Sequence, residues 1–210
     1  MRRSTLLWIA SIGFVAAFAA SGAALGTLPE STDDGKTVVS WFIDHDSNVR
    51  WGVWFLAVSI VLFTIFAALV RAHLPEIHRD VFLAGAVLLA AETTVNAWVL
   101  VGLARHPSQL DPATARTLLD IAGYWGPLLT TATVLMLGPI TVIALTNRGL
   151  PRWVGYIAAV GVVEQIVETV TIFGKSGFIA PGGPMNLVLG AYLTTLALLC
   201  AGIVTARATS

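Results

Sequence analysis

The stretch WGVWFLAVSIVLFTIFAALV, residues 51–70, contains twenty residues without a charged side chain. A helix of about 20 apolar residues is long enough to cross the roughly 30 Å hydrocarbon core of a bilayer. Over the whole chain of 210 residues, 56% are hydrophobic and only 11% are charged, which is far more apolar than a soluble domain of this length. The sequence therefore predicts an integral membrane protein.

Five further stretches are predominantly apolar over a similar length. Together with residues 51–70 they predict six transmembrane helices, at about residues 6–25, 51–70, 81–104, 124–146, 153–173 and 187–205. The first resembles a secretory signal peptide, because basic residues precede it and small residues end it. Its uncharged run over 4–29 is longer than a signal requires, so we expect it to remain as a helix. The predicted fold class is all-α, a polytopic bundle forming a single integral-membrane domain over residues 1–210.

The cationic residues distinguish the two sides of this predicted bundle, because lysine and arginine accumulate on the cytoplasmic side. A cytoplasmic N-terminus places seven of them inside (Arg2, Arg3, Arg71, Arg79, Arg148, Arg152 and Arg207) and five outside (Lys36, Arg50, Arg105, Arg116 and Lys175). Six crossings return the C-terminus to the starting side. We therefore expect a multi-pass protein of the cell membrane with both termini in the cytoplasm.

Two predicted outer connections have recognisable features. Residues 26–50 form the longest connection, and Trp41 and Phe42 within it fit an interfacial aromatic belt. In the second connection, Asp111 is a good N-cap and Pro112 suits the first position of a helix. This pattern predicts a short amphipathic helix over 111–122 that lies at the outer membrane surface.

Several function classes find no support in the sequence. The net charge is zero, and a nucleic-acid-binding protein would need a basic face. The single cysteine, Cys200, matches no zinc spacing. Asp44, His45 and Asp46 are consecutive, so they cannot all point to one ion without an irregular turn. We predict no metal site, no cofactor and no nucleic-acid partner.

Three glutamates lie within the predicted crossings, where an ionisable side chain is costly and by default indicates a functional site. Glu92 is followed four residues later by Asn96, and Glu164 is followed four residues later by Glu168, so each pair lies on one face of its helix. Glu92 and Glu164 each lie about 11 residues from the cytoplasmic end, roughly 16 Å deep. We expect the third and fifth helices to be neighbours, with both carboxyls facing a common interior space.

Polar and aromatic neighbours extend this predicted pocket. No lysine or arginine lies within the six stretches to neutralise the carboxyls, so we expect at least some of the glutamates to be protonated. Tyr124 and Trp125, at the start of the fourth crossing, are expected to lie between the glutamates and the outer surface. Tyr192 of the sixth crossing is expected to join the pocket. The predicted ligand-binding residues are Glu92, Asn96, Tyr124, Trp125, Glu164, Gln165, Glu168 and Tyr192.

Three functions are compatible with such a pocket. The first, which we favour, is the binding or carrying of a small lipophilic molecule, neutral or cationic, with exchange of a proton. The second is an intramembrane enzyme in which Glu92, Glu164 or Glu168 acts as a general acid and aromatic rings stabilise a carbocation. The third is an accessory subunit of a larger membrane complex, whose protein partner the sequence does not identify. The alternative to all three is that the polar side chains only hold helices together.

The acidic residue types in the predicted pocket are similar to those of integral-membrane terpene cyclases, which use membrane-embedded acids on isoprenoid substrates. For the second function, this likeness implies cyclisation of an isoprenoid. The chain as a whole resembles small uncharacterised multi-pass membrane proteins of high-GC bacteria, both in the outer segment before the second helix and in LPRW at 150–153. That resemblance implies a membrane-embedded bundle and brings no assigned activity.

Overall fold

The structure is a computed structural model that describes residues 2–146 and 149–208. The described residues form eight α-helices and no strand: α1 (Arg3–Leu25), α2 (Gly35–Arg71), α3 (Glu76–Leu103), α4 (Pro112–Gly123), α5 (Trp125–Leu128), α6 (Thr130–Leu145), α7 (Arg152–Glu168) and α8 (Ala191–Ala208). The all-α prediction is confirmed. Arg148 and both terminal residues, which entered the prediction of sidedness, lie outside the described residues.

Six helical segments in the described chain are long and apolar enough to cross a membrane, as predicted: Arg3–Leu25, Gly35–Arg71, Glu76–Leu103, Pro112–Leu145, Arg152–Phe173 and Val188–Ala208. The fourth segment joins α4, α5 and α6. The fifth continues past α7 as a 3-10 helix over Thr169–Phe173, and a π-helix over Met185–Gly190 leads into α8. The protein therefore has the architecture of a multi-pass membrane protein.

Helix α2 begins well before its predicted start. The sequence predicted a connection over 26–50, but the helix starts at Gly35, where the Asp34 carboxylate accepts a hydrogen bond from the Thr37 backbone N–H at 2.8 Å. The helix continues through a kink at His45, which has φ −120° and ψ 15°. Val38 and Phe42 are fully buried in this extension. Their packing stabilises a helix whose polar sequence alone is typical of a loop.

The predicted short helix in the second outer connection is present as α4. Asp111 accepts a hydrogen bond from the Thr114 backbone N–H at 2.9 Å, and Pro112 occupies the first turn. Ala115 and Leu119 are buried and join one apolar cluster with the first turns of α2 and the last turns of α3. This face of α4 therefore packs on the bundle.

Three segments meet at one end of the bundle, which we call the α4 end. The Arg116 side chain of α4 donates a hydrogen bond to the backbone carbonyl of Glu30 at 2.8 Å. Ser31 in turn donates to the backbone carbonyl of Lys175 at 3.0 Å. These bonds join α4 with the connections 26–34 and 174–184, whereas the turn at 72–75 lies at the opposite end of α2. The six predicted crossings put residues 26–50, 111–122 and the APGGP connection on one side of the membrane, and this arrangement agrees with that prediction.

The lateral order of the helices differs from the expectation. Helix α6 packs extensively against both α3 and α7, whereas α1 packs against α2 and α8, and α7 against α8. The third and fifth crossings are therefore separated by α6 rather than adjacent, and that prediction was wrong. Matched depth along two helices says nothing about which helices are neighbours, because lateral order depends on the interlocking of small and large side chains.

Candidate ligand-binding cavity

Among the glutamates in the six segments that could cross a membrane, Glu168 is the most deeply buried, with 1% of its surface exposed. It is the last residue of α7, at the point where the backbone tightens into the 3-10 helix. Its Oε2 atom accepts a hydrogen bond from Nε2 of Gln165, and its Oε1 atom accepts one from Nδ2 of Asn186. Each carboxyl oxygen thus has one amide donor.

Asn186 reaches this carboxyl from the π-helix that precedes α8. Its side chain is 2% exposed, its Nδ2 lies 3.2 Å from Oγ1 of Thr171, and its Oδ1 accepts from the Gly182 backbone N–H at 3.0 Å. A Cβ atom added to Gly126 would lie 2.6 Å from Cγ of Asn186. The absence of a side chain at Gly126 is therefore required for α5 to approach the site. Single π-turns inside helices are frequent at functional sites.

Gln165 connects the carboxyl to α6. Its side chain is 3% exposed, and its Oε1 accepts a hydrogen bond from Oγ1 of Thr133. Its Nε2 lies 3.0 Å from Oε2 of Glu164 and also donates to Glu168. A continuous side-chain network therefore runs from Thr133 through Gln165 and Glu168 to Asn186.

This network forms one end of a cavity of about 90 Å³ inside the bundle, and all six membrane-spanning segments contribute to its wall. The polar side chains of the wall are Ser59, Thr93, Trp125, Thr133, Gln165, Glu168, Asn186, Thr194 and Thr195. Aromatic and aliphatic side chains that α1 and α2 contribute are Phe14, Phe18, Leu56, Ile60 and Phe63. The lining is therefore mostly apolar, with a single carboxyl group.

Two glycines of the sixth segment contact different kinds of side chain, polar ones at Gly190 and an aromatic ring at Gly202. A Cβ on Gly190 would lie 2.8 Å from Nε2 of Gln165, whereas a Cβ on Gly202 would lie 2.6 Å from the Phe66 ring. These glycines are twelve residues apart, or about 18 Å along the helix axis. Phe66 in turn lies 5.1 Å from Phe14, between ring centroids. We call the part of the cavity wall formed by Trp125, Gln165, Glu168 and Asn186 the polar end, and the part formed by Phe14, Phe18 and Phe63 the aromatic end.

Three of the eight predicted ligand-binding residues line this cavity: Trp125, Gln165 and Glu168. Glu164 does not line it, although its carboxyl contacts Gln165. Glu92 does not line it either, and its Oε2 atom is buried without a hydrogen-bond partner in the described structure. The structure therefore does not bring Glu92 and Glu164 into one shared pocket.

The remaining predicted residues face elsewhere. Asn96 donates from Nδ2 to the backbone carbonyl of Ala122 at 3.0 Å, and so fastens α3 to α4. Tyr124 and Tyr192 are exposed, the latter by 65%, and neither lines the cavity. The spacing of polar residues gave their depth, whereas the direction in which each side chain points follows from the helix neighbours, which the sequence did not reveal.

Asn186, Thr133 and Thr194 line the cavity but were not among the residues predicted from the sequence. Asn186 follows the segment APGGPM, whose glycines and prolines are typical of a connection, so its amide was not considered as part of a helix. The threonines gave no specific signal, because threonine is common in membrane helices and often bonds to the carbonyl four residues earlier. An asparagine beside the start of an apolar stretch was the one available indication.

No metal centre is found in the part of the chain that the structure describes, since no three His, Cys, Asp or Glu side chains there are grouped to hold an ion. The chemistry available at the cavity is therefore that of a carboxyl group, two amides, hydroxyls and an indole N–H. Such groups can donate, accept and exchange protons, and the aromatic end can enclose an apolar body.

Residues 9–201 match a family model described as a domain of unknown function, DUF4386, and the protein belongs to this family. No significant match was found among curated proteins or among solved structures. Membership agrees with the resemblance to uncharacterised proteins noted above, and the comparisons do not extend the likeness to terpene cyclases.

Proposed function

We propose that the protein binds a small lipophilic molecule in the cavity of its helix bundle, and that binding is linked to the protonation of Glu168. The observation that carries this proposal is the Glu168 carboxyl, 1% exposed, in the wall of a mostly apolar cavity. Ionisable groups inside membrane proteins are costly and rare. Serine or threonine would hold helices together at lower cost, so a purely structural role leaves the carboxyl unexplained.

The size of the cavity favours a small ligand. An engineered protein cavity of roughly 150 Å³ accepts benzene, and the volume of this cavity is about 90 Å³. This cavity is smaller than one that holds benzene, so a compact ring is the largest expected occupant and requires the wall to move outward. A long isoprenoid would require the helices to separate, which favours binding or carriage over isoprenoid cyclisation.

Protonation of Glu168 changes the hydrogen-bond donors and acceptors in the cavity wall. Both carboxyl oxygens accept amide hydrogen bonds, from Gln165 and Asn186. A carboxylate only accepts hydrogen bonds, whereas a protonated carboxyl also donates one and has less capacity to accept. Gain of a proton therefore alters the network, and through it the polar end of the cavity. The titratable neighbour in this network is Glu164, connected through Gln165.

The test measures ligand affinity against pH in purified protein. Cyclohexanone, cyclohexane and cyclohexylammonium are suitable probes because they share one compact ring. We expect at least one to bind with an affinity that changes over about pH 5 to 9, a range that covers the usual variation for buried carboxyls. Glu168→Gln should remain folded and remove that change.

Glu92→Gln is the matched control, because Glu92 is also an intramembrane glutamate but does not line the cavity. This variant should keep the pH dependence of the parent. Failure of all three probes to bind at any pH would contradict the proposed function. Retention of the parent's pH dependence by Glu168→Gln would contradict the assigned role of that carboxyl.

A further inference from the structure

Two polar groups in the cavity wall lack hydrogen-bond partners. Nε1 of Trp125 and Oγ1 of Thr194 are both inaccessible to solvent, and no described residue offers either of them a partner. Thr194 is itself only 7% exposed. Buried polar groups are nearly always paired in native proteins, and an unpaired one in a cavity wall suggests a partner that occupies the cavity.

These groups lie at the polar end of the cavity. Trp125 is adjacent to Gly126, which packs against Asn186. Thr194 lies one helical turn beyond Gly190, whose backbone lies against the Glu168 carboxyl. A ligand held by Trp125 and Thr194 would therefore direct the rest of its body toward the aromatic end.

Most of the other polar side chains at this end already have hydrogen-bond partners, and Thr195 also lines the cavity. Glu168 accepts from two amides, and Thr133 donates to Gln165. Thr93 donates to the backbone carbonyl of Leu89 at 2.7 Å. An indole N–H only donates, whereas a threonine hydroxyl can donate or accept. The indole N–H of Trp125 therefore requires a hydrogen-bond acceptor, and the Thr194 hydroxyl can donate to the same acceptor.

We infer that the cavity selects a neutral ligand with an oxygen acceptor, such as a ketone, on a compact apolar body, held by Trp125 and Thr194. This inference rests on the proposed function and narrows its ligand class. An ammonium group has no free lone pair, so it leaves the indole N–H unpaired. A hydrocarbon leaves both groups unpaired. The acceptor oxygen thus distinguishes the ligand from the many apolar molecules in a membrane.

The test compares cyclohexanone with cyclohexane and cyclohexylammonium, which have rings of similar size. Affinities are measured from ligand-dependent shifts in Tm in detergent, with ligand concentrations corrected by partition into protein-free micelles. We expect cyclohexanone to bind roughly 30-fold more tightly than cyclohexane, the combined effect of its two hydrogen bonds. Trp125→Phe and Thr194→Val should each reduce the advantage of the ketone and leave cyclohexane binding largely unchanged.

Control variants remove equivalent groups outside the cavity. Trp98→Phe alters an indole that is 67% exposed on α3, and Tyr192→Phe removes a hydroxyl on α8 two residues from Thr194. Both should bind the ketone like the parent. Thr194→Val nearly preserves side-chain shape, so it tests the hydrogen bond without opening a new space.

Three outcomes would overturn the inference. Equal affinity for cyclohexanone and cyclohexane would remove the need for an acceptor. If Trp125→Phe reduced the affinities for cyclohexanone and cyclohexane equally, and Thr194→Val reduced neither, the two residues would contribute packing alone. If cyclohexylammonium bound most tightly, the cavity would select a cation and not a neutral acceptor. That result would contradict the inference but leave the proposed function standing. Absence of binding by all three probes would instead remove the proposed function as well.

Discussion

Asn186 donates a hydrogen bond from Nδ2 to Oε1 of Glu168, a residue 18 positions earlier in the chain. Each partner lies next to or within irregular helix. Glu168 is at the change from α7 to the 3-10 helix, and Asn186 is within the π-helix before α8. Irregular backbone is tolerated within membrane proteins where it is buried or lines a cavity. The junction of the fifth and sixth segments therefore positions the one carboxyl of the cavity.

A double-mutant cycle tests whether this pair is energetically coupled. Glu168→Met or Asn186→Leu alone leaves a buried polar partner unsatisfied, and each should reduce the free energy of unfolding by about 1–3 kcal/mol. The double variant removes both partners and should lose less than the sum of the two, by about 0.5–3 kcal/mol. Unfolding in mixed micelles measures all four proteins. Strict additivity would show that the two residues act independently.

The close approach of the π-helix before α8 to the Glu168 carboxyl gives a second prediction. A Cβ at Gly190 would lie 2.8 Å from Nε2 of Gln165 and closer still to Oε2 of Glu168. Gly190→Ala should therefore displace the network and lower Tm. Gly102→Ala is the control, because it also lies in a helix and a Cβ there meets nothing within 4 Å.

The control should be neutral or stabilising, by about 0.4–1 kcal/mol, since alanine reduces the freedom of the unfolded chain. Similar effects of the two substitutions on Tm would contradict the predicted crowding at Gly190.

The sequence predicted those features that depend on one segment at a time. Apolar length gave the six crossings, and Asp111 followed by Pro112 gave the start of α4. It did not give features that depend on several segments. Glu92 and Glu168 are both glutamates within predicted crossings, but of the two only Glu168 lines the cavity. The extension of α2 was missed because its stability comes from the burial of Phe42 against other helices.

The helix starts at Asp34 and Asp111 should respond to acid. Hydrogen bonds from the backbone N–H groups of Thr37 and Thr114 lower the pKa values of Asp34 and Asp111 below their usual 3.8. A lowered folded-state pKa contributes stability above the unfolded value, and this contribution is lost as the pH falls through the folded value. Tm should therefore decrease below about pH 4 in part because of these two caps.

Replacing both residues, Asp34→Asn with Asp111→Asn, should weaken this acid response, because asparagine caps a helix without titrating. Asp44→Asn is the control, since Asp44 is exposed within α2 and caps no helix. The comparison is made by thermal unfolding from about pH 2 to pH 6, a range that spans the titration of the caps. An unchanged acid response in the double variant would exclude a contribution from the caps.

The sidedness of the bundle can be tested with single cysteines after Cys200→Ala removes the native thiol. Thr32, Phe178 and Glu76 are all exposed. The hydrogen bond from Ser31 to the Lys175 carbonyl places the connections that contain Thr32 and Phe178 at the α4 end. Glu76 begins α3 after the turn at the opposite end of α2. The excess of arginine near that end predicts that it is cytoplasmic.

An impermeant thiol reagent applied to intact cells should therefore label Thr32→Cys and Phe178→Cys alike, and should label Glu76→Cys only after the cells are permeabilised. Labelling of Glu76→Cys alone would reverse the orientation but keep the fold. Unequal labelling of Thr32→Cys and Phe178→Cys would contradict the fold itself, because one hydrogen-bonded junction holds their two connections together at the same end. The labelling pattern thus separates an error in membrane orientation from an error in helix packing.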